Sequence, residues 1–529
     1  MNSIKPYYIT TPIFYVNASP HIGHLHSALL ADTQNRFQTL LNSDTFFTTG
    51  TDEHGLKIQK ATEDSDFSDP LSFCDNVSRT YSDLFFRFNV KPADFIRTSE
   101  NRHKKSVSQF WKQLRDNGHI EKALFTGWYC LQDETFLTER QIVEDAGSGK
   151  KSSSESGHPV EWCQEENYVF KLEPFRERIR LWLDQNNVIS PPIFRNHLQM
   201  FLDQGESLPD LSVSRPSTRL HWGVPVPEDP AQTIYVWLDA LVNYLTAAGY
   251  PDKMKIWPVD CHVIGKDILK FHAIYWPAFL MAADLQLPRK ILCHSHWTVD
   301  GTKMSKSKGN VIEPSQLIKP YSSEGVRYFL LREAVPHSDG SFSHKRMASY
   351  LNAELANTLG NLVGRITSKS INVNQVVPQI DFDEDSNCLN ELSKDLIEQV
   401  KQLPELVKNH YHNFNYYLGI DAIMDCLRKT NLYIQEEKPW ELRKTDSQRL
   451  EYVLLISLES LRICAILLQP IIPKLSKQLL VKLGVPENER LWSNAERLCW
   501  NDNIKEKAIQ KFSDEKLVLF QKINESENA

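Results

Sequence analysis

Residues 7–26 read YYITTPIFYVNASPHIGHLH, and the fold turns on how this stretch is parsed. YYITTPIFYV is rich in β-branched and aromatic residues and predicts a strand, and apolar residues at helical spacing over 20–42 predict a helix behind it. Ser19 and Pro20 supply a helix start, a hydroxyl N-cap followed by proline at the first helical position. A strand running into a helix N-terminus is an anion site in waiting, because the first N–H groups lack helical partners and the dipole favours negative charge. His21 and His24 then stand three apart on one face of the first turn. Gly23 between them removes a side chain and lets a flat or anionic ligand approach the backbone. Histidines at this spacing can also chelate zinc, but no third ligand is near and the segment holds no glutamate. Phosphate binding is therefore the favoured reading.

Outward from this stretch the alternation continues. DTFFTTG predicts a second strand, and much later CHVIG, KDILKFHAIYWPAFLMAA and KILCHSHWTV predict strand, helix and strand again. Strands alternating with helices indicate βαβ units and a parallel sheet. Residues 119–230 differ in texture. They contain GSGKKSSSESG (147–157), expected to be a solvated loop, and the proline-punctuated SRPSTRLHWGVPVPEDP. This stretch reads as an insertion that splits one doubly wound sheet. After about 345, LNAELANTLGNLVGRITSKSI, YLGIDAIMDCLRKTNLYIQ and LEYVLLISLESLRICAILL carry helical periodicity and strand signals fade, which predicts an all-α bundle. The chain shows no internal repeat.

The 529 residues exceed the roughly 150 of one ordinary domain, so several are expected. Hydrophobic residues at 41% and charged residues at 24% fit a globular protein in water. No apolar run reaches the ~18 residues that would suggest a membrane span. FHAIYWPAFLMAADL comes nearest and reads as a buried amphipathic helix. The nine scattered cysteines include no C-x-x-C pair, which argues against a disulfide framework and fits a reducing compartment. A net charge of −7 gives no overall basic footprint, so RNA would have to meet local patches. Arg176, Arg178 and Arg180 in FRERIR are one such patch, although a solvated helix face is the more ordinary explanation of such a run. MNSIKPYYITTPIFYV shows neither a signal-peptide core nor an Arg-rich presequence, so secretion is not expected and no organellar address is visible.

A second loop sharpens the reading. DGTKMSKSKGN (300–310) follows the last strand of the second block, where doubly wound sheets bind ligands. Lys303 and Lys306 lie among small residues between Gly301 and Gly309, and mobile ammonium groups there suit a polyphosphate. HIGH at 21–24 and KMSKS at 303–307 resemble, in this order, the two signatures of class I aminoacyl-tRNA synthetases. TTPIFYVNASPHIGH, TGTDEHGLKIQKA, IYVWLDALVNY, VIGKDILKFHAIYWPA and GNLVGR extend the likeness along nearly the whole chain to the methionyl-tRNA synthetases. WLDALVNY and HSHWTVDGTKMSKS are most similar to the animal mitochondrial branch.

The resemblance implies a doubly wound, Rossmann-like α/β catalytic domain split by an insertion and followed by a helical bundle. Its parts would be 1–118, the first half of the sheet; 119–230, a connective insertion; 231–296, the second half; 297–344, the lysine loop and stem-contact region; and 345–529, a helical anticodon-binding domain. Methionine would meet Ile13, Tyr15, Trp237, Ala240, Leu241, Tyr244, Ile268 and His272, with Asp52 facing its ammonium. Aromatic rings suit a thioether, whose sulfur–aromatic contacts are worth ~0.3–1.5 kcal/mol. ATP, with Mg2+, would lie against Gly23 and Gly265, with Asp267 accepting from the ribose. His21 and His24 would donate to phosphate oxygens, and Lys303 and Lys306 would neutralise the departing pyrophosphate. The methionine carboxylate would attack the α-phosphorus, and the activated methionine would pass to the terminal ribose of a methionine tRNA. Asn361, Arg365 and Trp440 would read its CAU anticodon.

Related enzymes carry a zinc knuckle of two C-x-x-C or C-x-x-H pairs in the insertion. WYCLQDETF and SESGHPVEWC retain Cys130 and His158 but place Asp133 and Glu155 three positions away. Two carboxylates in place of thiolates weaken zinc, so no structural metal is expected, and Trp128, Phe136 and Trp162 would hold the region. The resemblance also suggests the mitochondrial matrix, with the cytoplasm as the alternative, and the polar tail FQKINESENA suggests a monomer. Three rivals stay open: a class I synthetase for leucine, isoleucine or valine, for whose larger editing insertion 119–230 looks short; a catalytically silent tRNA-binding relative; and a small nucleotidyltransferase.

Overall fold

YYITTPIFY forms strand β1, Tyr7–Tyr15, and β2 (Thr45–Asp52) follows the helix Ile22–Leu40. With β3 (Asp94–Arg97), β4 (Ile189–Ser190), β5 (Cys261–Gly265) and β6 (Ile291–His294) they make a six-stranded sheet in the order β3-β2-β1-β5-β6-β4. The pairs β2–β3, β1–β5 and β6–β4 are parallel, with Ile9 opposite Cys261 and Thr49 opposite Phe95. The order reverses between β1 and β5. Their carboxyl ends, Tyr15 and Gly265, therefore flank the crevice in which such sheets bind ligands. The computed structural model describes residues 5–130, 135–137, 139–145, 149–154, 156–185, 188–203, 207–299, 301–304, 309–384, 386–501, 510–515 and 517–524.

The chain groups into two compact units, residues 1–20, 46–83 and 92–293 in the first and 21–45, 84–91 and 294–529 in the second. The first unit holds most of the parallel sheet and the insertion. Within the insertion, Ile120–Cys130 and Val160–Phe170 pair antiparallel along their length, from Ile120 opposite Phe170 to Cys130 opposite Val160. Thr135–Leu137 and Leu211–Ser212 complete a four-stranded sheet. The stretch expected to be a solvated loop contains a strand: Lys151–Ser153 pairs with Ile142–Glu144. Two contacts anchor it, Lys151 Nζ at 4.3 Å over the Trp128 ring and the Ser153 N–H donating to the His158 carbonyl at 2.8 Å.

KILCHSHWTV, expected as one strand, is two. β6 ends at His294, and Trp297–Val299 belongs to a small sheet with Thr302–Lys303 and Gly340–Phe342. KDILKFHAIYWPAFLMAA is helical but not uniformly α: a 3-10 turn (Lys266–Ile268) and a π-turn (Phe271–Tyr275) precede the α-helix Trp276–Ala282.

In the second unit, Pro314–Glu333 bends where Ser322 takes a φ of 60°, just after Pro320. Arg327 on this helix is fully buried. It pairs with the equally buried Asp32 at 2.8 Å and donates to the carbonyls of Phe88, Pro470 and Ile471 at 3.1, 3.1 and 3.0 Å. The buried pair is thus also hydrogen-bonded to backbone carbonyls, the condition under which burying an ion pair is tolerable. The all-helical end comprises Glu391–His412, Tyr416–Glu437, Ser447–Leu467 and Pro473–Lys482. Leu396, Ile423, Leu427, Leu458 and Leu461 are buried among them.

Candidate active site and anticodon recess

The methionine-contact candidates cluster by element in the first unit. Ile13 and Tyr15 end β1, and Asp52 ends β2 with 9% of its surface exposed. Gly265 ends β5, with Asp267 and Ile268 in the 3-10 turn that follows. Trp237, Ala240 and Leu241 lie on the helix Val236–Leu241, and Tyr244 on the next, Asn243–Ala248. Three of them are joined. His272 Nδ1 lies 2.9 Å from the Ile268 carbonyl oxygen, which can only accept, so Nδ1 carries the ring proton. Nε2 then accepts from the Tyr244 hydroxyl at 2.7 Å. Burial pushes the His272 pKa down to about 4, against the pull of the Ile268 carbonyl, so the ring is neutral and its tautomer set.

Sequence reasoning missed two features here. Phe271 stacks on Trp237, with ring centroids 3.7 Å apart and planes 14° from parallel. It sits in the π-turn directly before His272; a π-turn widens the helix, and helical periodicity cannot reveal one. Asp239 is buried and meets His54 Nδ1 at 2.6 Å and His103 Nε2 at 2.9 Å. Burial alone would raise its pKa, but the two imidazoles bring the carboxyl down to about 2. The one available signal was the acid–acid–His run Asp52, Glu53, His54.

In the second unit the HIGH stretch differs from expectation at its start. The helix begins at Ile22, two residues later than Ser19 and Pro20 implied, and His21 is the N-cap. Its Nδ1 accepts the Gly23 N–H at 3.0 Å, and His24 Nδ1 accepts the His21 N–H at 3.1 Å. Imidazole Nδ1 thus does the work of a capping oxygen, and the rings stack 3.8 Å apart. The N–H groups expected to be open to an anion are taken. Ile22 donates to the Ile312 carbonyl, and His24 and Leu25 donate to that of His21. With each Nδ1 committed as acceptor, the ring proton sits on Nε2, which makes that atom a donor. Burial and then the neighbouring His21 hold the His24 pKa well below the usual range. Gly23 also leaves room for the His21 ring, since a Cβ there would come within 2.8 Å of it. His26 is a core histidine, with its edge on His294 and Trp297 at 5.0 and 5.7 Å.

Lys303 lies in the short strand Thr302–Lys303, its backbone opposite Thr298. Lys306 lies outside the described residues. Asn361, Arg365 and Trp440 come together around an open recess of about 860 Å3, also lined by Arg428 and Asn431. Asn361 and Arg365 share the helix Asn361–Ile366, which a π-helical stretch, Leu351–Gly360, precedes. The Arg365 guanidinium is 6.0 Å from the centre of the Trp440 ring, and 41% of Trp440 is exposed. Trp440 opens the short helix Pro439–Thr445, which Lys438, at φ 46°, separates from the helix before it.

Of the knuckle positions, Asp133 and Glu155 lie outside the described residues. Cys130 is buried opposite Val160, and His158 is exposed. Trp128 and Trp162 meet edge to face at 5.2 Å, while Phe136 packs on Tyr129 at 4.9 Å. Among the described residues, no three or more of His, Cys, Asp and Glu form a metal-holding group, and no helix is long and apolar enough to cross a membrane.

Comparison with known proteins follows these lines. Residues 7–367 match the family model described as tRNA synthetases class I (M), and residues 385–529 match the anticodon binding domain of methionyl tRNA ligase. The mitochondrial methionine–tRNA ligase of Takifugu rubripes is 48% identical over 501 residues, covering 93% of this chain and 85% of that protein. The mitochondrial enzyme of Homo sapiens is 47% identical, covering 91% and 84%. The methionine–tRNA ligase of Rickettsia felis is 40% identical, covering 92% and 94%. Among solved structures, Mycobacterium tuberculosis methionyl-tRNA synthetase in complex with methionyl-adenylate superposes with a TM-score of 0.90 at 35% identity, covering 98% of this chain and all of that one.

Proposed function

The chain belongs to the methionyl-tRNA synthetase family, ligases that activate methionine with ATP and join it to tRNA, and we propose how its residues divide that work. Methionine lies at the end of β1, its thioether among Ile13, Tyr15, Trp237, Ala240, Leu241, Tyr244, Ile268 and His272, and its ammonium on Asp52. The observation that carries this is the Ile268–His272–Tyr244 chain of hydrogen bonds beside the Trp237–Phe271 stack. It makes an aromatic surface whose polar atoms are already matched, which suits a side chain that offers no hydrogen.

ATP, with Mg2+, uses Gly265 and Asp267 for the nucleoside and Gly23 and His24 for the phosphates. The carboxylate attacks the α-phosphorus in line, and pyrophosphate leaves. Positioning and charge stabilisation carry such a step. His21 and His24 donate from Nε2, a role their committed Nδ1 atoms support, and Lys303 and Lys306 meet the charge that grows on pyrophosphate. Methionine then passes to the terminal ribose of the tRNA. Bases of the CAU anticodon enter the recess, stack on Trp440 and bond to Asn361 and Arg365, the way single-stranded loops are read.

The identity to mitochondrial ligases favours the mitochondrial matrix over the cytoplasm. We read the chain as a monomer and its connective ribbon as zinc-free; light scattering and elemental analysis test these points. Amino-acid-dependent ATP–pyrophosphate exchange tests the central reading. Methionine should support it far better than leucine or valine. Equal exchange with leucine would overturn the specificity, and no exchange with any amino acid would favour a silent tRNA-binding relative.

A further inference from the structure

We propose that His54 is a positioning residue for methionine: through Asp239 it ties the turn directly after Asp52 to the short helix that carries Trp237, Ala240 and Leu241. The inference rests on the reading of Asp52 and Trp237 as methionine contacts.

Val236–Leu241 has six residues, less than two turns, and no side chain caps its start. A helix this short does not hold itself and takes its place from tertiary contacts. Trp237 and Leu241 are four apart and share one face, and Asp239 between them points the other way. Whatever grips Asp239 therefore sets how far Trp237 and Leu241 project. Its carboxylate accepts from His54 Nδ1 at 2.6 Å and from His103 Nε2 at 2.9 Å. His103 belongs to the helix Asn101–Asp116, and its Nδ1 meets Thr246 Oγ1 at 3.0 Å.

The turn after Asp52 is held independently. Glu53 takes Arg97 Nε and Nη2 at 2.7 and 3.0 Å and the Thr51 hydroxyl at 2.8 Å, and the Gly55 N–H donates to the Trp222 carbonyl at 3.1 Å. His54 is thus not needed to form the turn. Its Nε2 is buried and meets no partner among the described residues, so the bond to Asp239 is the ring's polar tie there. A charge-assisted bond of this kind is short and directional, and it fixes a spacing that apolar packing would leave loose.

The test is ATP–pyrophosphate exchange with the full chain, varying methionine and ATP separately. His54→Ala should raise the methionine KM by ~10- to 100-fold, the scale on which small misplacements act, and leave the ATP KM unchanged. His54→Gln fills the volume but places its amide nitrogen where Nε2 was, so it should be impaired too. It serves as the measured variant if the alanine protein does not fold. His54→Asn places its amide nitrogen at the Nδ1 position and should restore most of the wild-type methionine KM. A wild-type methionine KM in His54→Gln, equal impairment in His54→Asn and His54→Gln, or parallel losses for ATP and methionine would each overturn the inference. A wild-type chain that fails to exchange with methionine would instead overturn the functional reading, and this inference with it.

Discussion

Replacing Tyr244 by phenylalanine removes one oxygen and keeps the ring, and so isolates the bond to His272. The ring retains its neighbours, with centroids 4.2 Å from His262 and 6.1 Å from Trp276. His272 cannot escape by changing tautomer, because Nδ1–H remains tied to the Ile268 carbonyl at 2.9 Å. It cannot escape by protonation either, since burial holds its pKa at about 4. Nε2 is left as a buried acceptor without a donor. On the proposed reading a water supplies one in the free enzyme and bound methionine excludes it, so the penalty falls on the complex. An unsatisfied buried group costs about 1–3 kcal/mol, which is ~5- to 150-fold in an equilibrium constant. Tyr244→Phe should therefore lose that factor in kcat/KM for methionine, measured by pyrophosphate exchange at saturating ATP, and keep its KM for ATP. A variant indistinguishable from wild type would show that the hydrogen bond does not organise the pocket. An equal loss for ATP would place the damage elsewhere.

Trp440→Ala should leave exchange intact but weaken charging at limiting tRNA by ~5- to 150-fold, the value of one base stacked on an aromatic. Unchanged charging would return Trp440 to the role of packing. Lys306→Ala should slow adenylation by ~100-fold or more, mostly in kcat, as loss of a preorganised transition-state contact does; full activity would remove the lysine loop from the mechanism. The fold should also be acid-labile. His272 changes from the ordinary 6.5 to about 4, so between those values the folded chain binds fewer protons than the unfolded one. Stability then rises with pH through this window and is lost as pH falls, by on the order of 2 kcal/mol at pH 5 from this ring alone. Burial depresses His24, His26 and His262 in the same direction. Denaturant midpoints followed from pH 7.5 to 5 check this, and a flat profile would contradict it.

The parallel sheet and the helical end were legible because both declare themselves through short-range periodicity. β1, β5 and the helix Ile22–Leu40 lie where the alternation of strand and helix patterns put them. Local chemistry misled where two residues compete for one task. Ser19 and Pro20 make a good helix start on paper, but the Nδ1 of His21 reaches the Gly23 N–H and the stacked His24 returns the bond, so the cap moves. The π-turns at Phe271–Tyr275 and Leu351–Gly360 were invisible for another reason: a wider turn leaves the apolar periodicity of an α-helix almost unchanged.

The sites divide along the same line. Residues that would touch methionine, ATP or an anticodon base are constrained by a ligand that does not vary, so their types and spacings can be read within a few positions of chain. The residues that hold them answer only to one another. His54 and Asp239 are 185 positions apart and His103 and Asp239 are 136 apart. A histidine beside two acids on a strand end, an aspartate in a short apolar helix and a histidine near a helix start each have an ordinary explanation when read alone. Burial changes their meaning. A carboxylate with 1% of its surface exposed must be matched, and the groups that match it must come from elements already in place. The fold must therefore exist before this part of the site can be read, and a search for further functional residues gains most by starting from buried polar atoms behind the pocket wall.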